Sequence, residues 1–244
     1  MFSGAAIVEG GVLLLHSSLS RTLKKNEASP KDVISYLLER LGPDGTLLLP
    51  LFNFDFTKGI PFDIRTTPSQ MGALAEEGRQ WPGVVRTGHP IYGFAAIGAK
   101  AERFDGVNNR SGYGKDSPFS MLRDMNGQIA VIDLPDQNSM TFYHHVEEML
   151  KVPYRYHKEF TAPYTDQQGA TTSETYSIFV RDIENGVSTS VDRMGERLWS
   201  KGLYTGERQG SGHGMRTIMA RALFDEVASV IQADQAEEFL YATE

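Results

Sequence analysis

Two imidazoles and two carboxylates are packed into one short stretch, Thr141-Phe142-Tyr143-His144-His145-Val146-Glu147-Glu148. Side chains three residues apart on a helix are neighbours, so His144 would face Glu147 and His145 would face Glu148. Each pair matches a base with a carboxylate that can orient the ring and stabilise the charge it acquires, which is what proton abstraction from a substrate requires. Ser139 and Thr141 are both good helix caps, and a start at either leaves His144 in the first turn. The helix dipole there disfavours imidazolium, keeping His144 neutral and ready to accept a proton. Taken alone, the segment also allows one histidine to pack in the core and the other to face solvent. Zinc fits it less well: helical zinc sites use histidines at i and i+4, whereas adjacent His144 and His145 point about 100° apart. No metal is expected on that ground, although His16, His89, His157 or His213 could approach in space.

The apolar run from Gln128 to Leu134 reads as the strand that delivers the histidine helix. Val12-Leu13-Leu14-Leu15, entered by Gly10-Gly11 and left at His16-Ser17-Ser18, reads as a second buried strand, and Thr46-Leu47-Leu48-Leu49-Pro50 as a third. Between the last two lies an amphipathic helix over 31–41, closed by Gly42-Pro43-Asp44-Gly45. Strand, helix, strand in that order predicts a parallel, covered sheet whose ligands gather at the carboxyl ends of its strands. A short helix over 68–78 capped by Ser69, a strand or loop over 83–87 and an apolar run over 92–97 follow. From Thr161 to Val191, alternating Thr, Tyr, Ile and Val around Gln167-Gln168-Gly169 and Asn185-Gly186 predict antiparallel strands. Gly210-Ser211-Gly212-His213-Gly214 reads as a turn entering a last helix over 215–238.

With 244 residues and 40% hydrophobic content the chain can bury one substantial core, so one α/β domain over residues 1–244 is expected. A net charge of -7, a pI near 5.4 and no basic run longer than Lys24-Lys25 argue against nucleic acid or an anionic membrane as partner. The same acidity mildly favours a cationic substrate. The absence of cysteine excludes a thiolate nucleophile, a disulfide framework and a Cys-based zinc site. No apolar run is long enough for a signal peptide or a membrane span, which makes the cytoplasm the expected location.

Several loops carry further ligand-binding potential. The small residues Ser17, Ser18 and Ser20 allow close backbone approach and offer hydroxyls, for instance to a phosphate. Arg86-Thr87-Gly88-His89-Pro90 sets a fixed positive charge beside a rigid turn, and Gly112-Tyr113-Gly114-Lys115-Asp116-Ser117-Pro118 is a Gly-rich loop that reads equally as a plain connection or a ligand gate. Tyr154-Arg155-Tyr156-His157-Lys158 interleaves aromatics with cations, suiting a phosphate, a stacked base or a solvated strand edge.

In this order, His16-Ser17-Ser18-Leu19, Leu41-Gly42-Pro43-Asp44-Gly45-Thr46, Met71-Gly72-Ala73-Leu74-Ala75-Glu76, Arg86-Thr87-Gly88-His89-Pro90, Phe94-Ala95-Ala96-Ile97-Gly98, Ser117-Pro118 and Thr141-x-x-His144-x-x-Glu147 resemble the aminoglycoside 3-N-acetyltransferase family. The likeness is close over roughly residues 10–155 and looser beyond. It implies an α/β domain with a mixed central sheet flanked by helices, an antiparallel C-terminal part and a cleft for acetyl-coenzyme A as co-substrate. It also implies His144 as general base, Glu147 as its supporting acid, Thr141 beside the thioester, and Ser17, Ser18, Leu19, Arg86, His89 and Ser117 on the coenzyme side. Glu148 and Asp192 stand in reserve as the acid. Two departures bear on the acceptor: Gly93 where the family commonly has Ser, and Leu134-Pro135-Asp136 where it has Gly-x-Gly.

The reaction so implied is acetyl transfer to an amine of an aminoglycoside or related amino sugar by direct attack in a ternary complex, compatible with a homodimer. An aminoglycoside would call for a carboxylate-lined pocket, with Asp55, Asp133, Asp136, Glu147 and Glu148 as candidates; a nucleotide-linked amino sugar would call for the cations and aromatics of 154–158. The alternatives are a non-catalytic coenzyme A-binding protein and a metal-dependent hydrolase built on the paired histidines.

Overall fold

The computed structural model describes residues 2, 4–208 and 214–243. In chain order the strands are β1 (Val12–Ser17), β2 (Thr46–Pro50), β3 (Phe62–Asp63), β4 (Val85–Arg86), β5 (Phe94–Gly98), β6 (Gln128–Ile132), β7 (Arg155–Thr165), β8 (Thr171–Arg181), β9 (Val187–Thr189), β10 (Thr205–Gly206), β11 (Met215–Met219) and β12 (Tyr241–Thr243). The helices are α1 (Ser20–Asn26), α2 (Pro30–Leu41), α3 (Ala73–Arg79), α4 (Pro118–Asp124), α5 (Phe142–Leu150), α6 (Asp192–Ser200), α7 (Ala220–Gln232) and α8 (Ala236–Phe239).

Side chains alternate across a strand, and here both faces are buried. Val12 and Leu14 of β1, Leu48 of β2, Ile129 and Val131 of β6 enter one core with Phe119, Phe142, Val146, Leu223 and Val227 from α4, α5 and α7. Leu13 and Leu15, Leu47 and Leu49, Ala130 and Ile132 enter the other with Val33, Ile34, Leu37 and Leu74 from α2 and α3. The central sheet has the order β10-β11-β6-β1-β2-β5-β4. β1 is parallel to β2 and β6, with Leu13 opposite Leu47 and Leu14 opposite Ile129, while β11 and β5 flank this trio antiparallel. The sheet is therefore mixed. β7 and β8 form a long antiparallel hairpin, joined by β3 in a separate sheet, and β9 pairs with β12.

Several boundaries differ from those read in the sequence. α3 begins at Ala73 rather than near Pro68, because Ser69 organises the preceding turn: its amide donates to Glu76 and its hydroxyl accepts from Met71 N. Residues 215–238 are not one helix. Met215-Arg216-Thr217-Ile218-Met219 pairs with β6 as β11, and the helical part starts at Ala220. Of the glycine-rich turn expected over 210–214, residues 210–213 lie outside the described residues. Among the described residues no helix is long and apolar enough to cross a membrane.

Candidate active site

β6 ends at Ile132, Asp133 turns the backbone with φ +54°, and a single helical turn over Asp136–Asn138 leads to α5. That turn is locked by Asp136. Its Oδ2 accepts from Tyr143 Oη at 2.5 Å and Tyr204 Oη at 2.7 Å, and its Oδ1 from Arg216 Nη2 at 2.8 Å. Arg216 also donates to Leu134 O. Tyr143 is the neighbour of His144, so this buried cluster fixes the start of α5 to the central sheet. Thr141 occupies the N-cap position without making a side-chain cap bond, and Ser139 donates to Pro135 O instead of capping.

His144 and Glu147 meet as their spacing predicts, with Nδ1 2.7 Å from Oε2. The ring keeps 20% of its surface and packs against Tyr113, while Glu147 keeps 1%. Arg155, at the start of β7, places Nε 2.7 Å from the same carboxylate oxygen as a buried ion pair. Burial pushes His144 below the ordinary imidazole range, the Arg155 charge adds to this, and Glu147 opposes it. Glu147 is itself held below the usual carboxylate range: burial acts against this most strongly, but Arg155 and His144 outweigh it. The outcome is a neutral ring beside an ionised carboxylate. With Nδ1 bonded to Glu147, Nε2 is the nitrogen left to take a proton.

The second histidine pair does not form. His145 turns its Nδ1 to Tyr113 O at 2.7 Å inside the core, and Glu148 accepts from Ser111 Oγ at 2.8 Å. Asp192, read as a reserve acid, accepts from Gln137 N at the turn before α5. Nor do the five proposed acceptor-binding carboxylates converge. Asp55 pairs with Lys58, Asp133 with Arg21 and Asp136 with Arg216, and Glu147 is enclosed behind His144. Glu148 alone of the five lines the largest of the described cavities.

His144 lines one hollow, and residues next to the dyad line two more. One of about 150 Å³ is lined by Asn138, Ser139, Thr141, His144 and Thr189, so the uncapped Thr141 side chain borders the same space as His144. Another, about 70 Å³, lies at the carboxyl ends of β1 and β2 against His16, Ser17, Pro50 and Asn138. Asn138 borders both, which makes a row from Ser17 to His144. In the smaller one His16 is buried with Nε2 unpartnered, and burial, aided by Arg216, pushes its pKa down to about 4. The third, about 840 Å³, is walled by Ser111, Gly114, Glu148, Arg155, His157 and Phe179.

Ser17, Ser18 and Leu19 lie at the end of β1 and the start of α1, with Ser18 N donating to Ile132 O. Arg86, His89 and Ser117 are not brought to the dyad. Arg86 donates to Ile64 O and Thr67 O and lies over the Phe62 ring. His89 is fully buried, its Nδ1 accepting from the amides of Ile91 and Tyr92, and burial holds its pKa at about 3. Ser117 caps α4. All three spend polar groups on the fold. Arg155 is the residue whose role the sequence concealed: it was visible as a cation in an aromatic segment, but nothing local tied it to a carboxylate eight positions earlier on another element. Among the described residues no three His, Asp or Glu side chains converge as a metal site; His213 lies outside them.

A family model described as aminoglycoside 3-N-acetyltransferase matches residues 14–232. Aminoglycoside N(3)-acetyltransferase IV of Salmonella sp is 32% identical over 151 residues, covering 61% of this chain and 56% of that one. The chain thus spans little more than half the length of that relative. A crystal structure of an aminoglycoside acetyltransferase AAC(3)-IVa variant in complex with apramycin aligns with TM-score 0.73 at 27% identity, over 94% of this chain and 88% of that one. AAC-IIIb, solved as a binary complex with CoASH, shares the fold at TM-score 0.80 and 21% identity, over 94% and 92% of the two chains.

Proposed function

We propose, since the chain belongs to the aminoglycoside 3-N-acetyltransferase family, that it is an acetyl-coenzyme A-dependent N-acetyltransferase acting on an amino sugar, as one domain over residues 1–244. The observation that carries this reading is the 2.7 Å contact between His144 and a buried, ionised Glu147, with the ring held neutral.

Acetyl-coenzyme A would bring the acyl group already activated as a thioester. The row of hollows from Ser17 past Asn138 to Thr141 suits its extended arm, and the orphaned Nε2 of His16 offers a hydrogen-bonding group along that path. His144 Nε2 takes the proton that the attacking amine must lose, and Glu147 stabilises the imidazolium formed. Arg155 keeps Glu147 ionised and in place, so the carboxylate orients the ring rather than removing its proton. Thr141, with no cap bond to give up, is placed to donate its hydroxyl to the carbonyl oxygen as charge builds there. His144 then returns its proton to the departing sulfur. Direct transfer accords with a chain that has no cysteine to carry the acyl group.

The test is release of free thiol from acetyl-coenzyme A in the presence of amines, together with calorimetric binding of coenzyme A. His144→Ala is expected to lower kcat by about 10²–10⁴ while coenzyme binding persists. Unchanged turnover in that variant would remove His144 from the chemistry, and no coenzyme binding by the parent protein would overturn the acetyltransferase reading. A coenzyme-binding protein without turnover is the outcome in which binding is seen but no amine releases thiol.

A further inference from the structure

The chain is acidic, with 31 Asp and Glu against 24 Lys and Arg, whereas the charged side chains lining the 840 Å³ cavity beside the dyad that lie outside ion pairs among the described residues are two lysines and two carboxylates. Arg110, Lys115, Lys151 and Arg155 line it, against Asp116 and Glu148. Two of the cations are committed, Arg110 to Glu174 and Arg155 to Glu147. Lys115 and Lys151 have no ion-pair partner among the described residues and are exposed. The cavity adjoins the dyad through two of its lining residues: Arg155 holds Glu147, and Glu148 stands one turn along α5 from His144. One wall is the His157 ring against Phe179, with centroids 4.9 Å apart, an aromatic surface against which a sugar ring can lie.

A polyamine would bring several ammonium groups to a wall that holds two unpaired lysines and, of the five carboxylates expected for it, only Glu148. Asp133 and Asp136 are neutralised by Arg21 and Arg216, and Asp55 by Lys58. Glu148 and Asp116 provide for one ammonium, on the side of the cavity nearest the dyad. Resting on the acetyltransferase reading, we propose that this cavity is the acceptor site and that the acceptor is an amino sugar bearing an anionic group, its amine directed to Glu148 and His144 and its anion to Lys115 and Lys151. Burial and the neighbouring Asp116 raise the Glu148 carboxyl, so an incoming ammonium would meet a group whose ionisation it favours.

Three probe amines separate the cases: glucosamine, glucosamine 6-phosphate and apramycin, each with acetyl-coenzyme A and thiol release as readout. Glucosamine 6-phosphate should exceed both others in kcat/KM, by about tenfold over glucosamine, the scale of one charge-assisted contact to phosphate. The double variant Lys115→Glu, Lys151→Glu should bring that ratio to about one, with KM for acetyl-coenzyme A as in the parent. A higher kcat/KM for apramycin than for the phosphorylated sugar overturns the proposal while leaving the acetyltransferase reading intact. So does a rise in KM for acetyl-coenzyme A in the double variant, which would assign the lysines to the coenzyme's phosphates. Thiol release from none of the three overturns both.

Discussion

Replacing Arg155 by methionine probes the dyad through the group that holds it. The Arg155 and Glu147 side chains keep 5% and 1% of their surface, with Nε 2.7 Å from Oε2. Methionine retains the aliphatic bulk and removes the charge, leaving the Glu147 carboxylate buried without its guanidinium. Breaking a buried pair from one side costs about 3–5 kcal/mol, since the remaining charge is uncompensated. Loss of the bond from Nη1 to Phe179 O adds about 1 kcal/mol. At about 2–4 °C per kcal/mol for a chain of this size, Tm should fall by roughly 8–24 °C. The double variant Arg155→Met, Glu147→Gln removes both charges and should be more stable than the two single losses added together, by about 1–3 kcal/mol in a double-mutant cycle. The pH dependence also has a definite sign. Arg155 is among the causes that depress His144, so its removal raises the imidazole and moves the acid limb of kcat to higher pH. Glu147 is depressed in the fold, so its stabilising contribution is present above its unfolded value and lost as pH falls through its folded one; Arg155→Met should flatten that acid loss. Urea titrations between pH 3 and 8 (roughly the span in which carboxylates and His titrate) and a pH-rate profile measure these effects. Additive losses in the cycle, or an acid limb that does not move, would refute the placement of Arg155.

Thr141→Val should lower kcat by about 10²–10³ with Tm unchanged, because the role proposed for the hydroxyl is to donate to the developing oxyanion and it makes no cap bond; steady-state kinetics with a melting curve checks both. Asp136→Asn leaves Arg216 buried opposite a neutral amide and should cost about 3–5 kcal/mol in urea titration, with reduced kcat because Tyr143 no longer anchors the start of α5. Gly93→Ser, which introduces the residue that the resemblance implies there, should destabilise the fold by about 1–3 kcal/mol, since a Cβ there would lie 2.9 Å from His89 O.

The buried strands were legible because the runs Val12 to Leu15 and Leu47 to Leu49 between turn signals leave little else to be, and α2 because its apolar stripe ends at Gly42-Pro43-Asp44-Gly45. Strand β11 was not, because Met215 to Met219 runs directly into the apolar periodicity of α7 and only pairing with β6 separates the two. The dyad was legible from local spacing, as both partners lie on one helix. Its environment was not. Arg86 and His89 looked like ligand contacts because a cation and an imidazole beside Pro90 are equally suited to binding carbonyls and amides of the chain itself, and only the path of the backbone over 64–67 and 91–92 distinguishes the two.

The same limit explains why a neutral His144 was foreseen on an incomplete cause. Its place in the first turn of α5 invokes the helix dipole, a surface effect of about 0.3–1 kcal/mol that solvent screens. Burial of the ring, which packs against Tyr113, and the nearby guanidinium of Arg155 also depress it, and neither Tyr113 nor Arg155 belongs to α5. One of the charges that depress the ring therefore sits on an element, the β7 and β8 hairpin, that begins after its helix has ended. A substitution on that hairpin can retune the ring without altering Thr141, His144 or Glu147, so relatives that share the helical motif need not share a pH profile, and the position corresponding to Arg155 is where such divergence would originate.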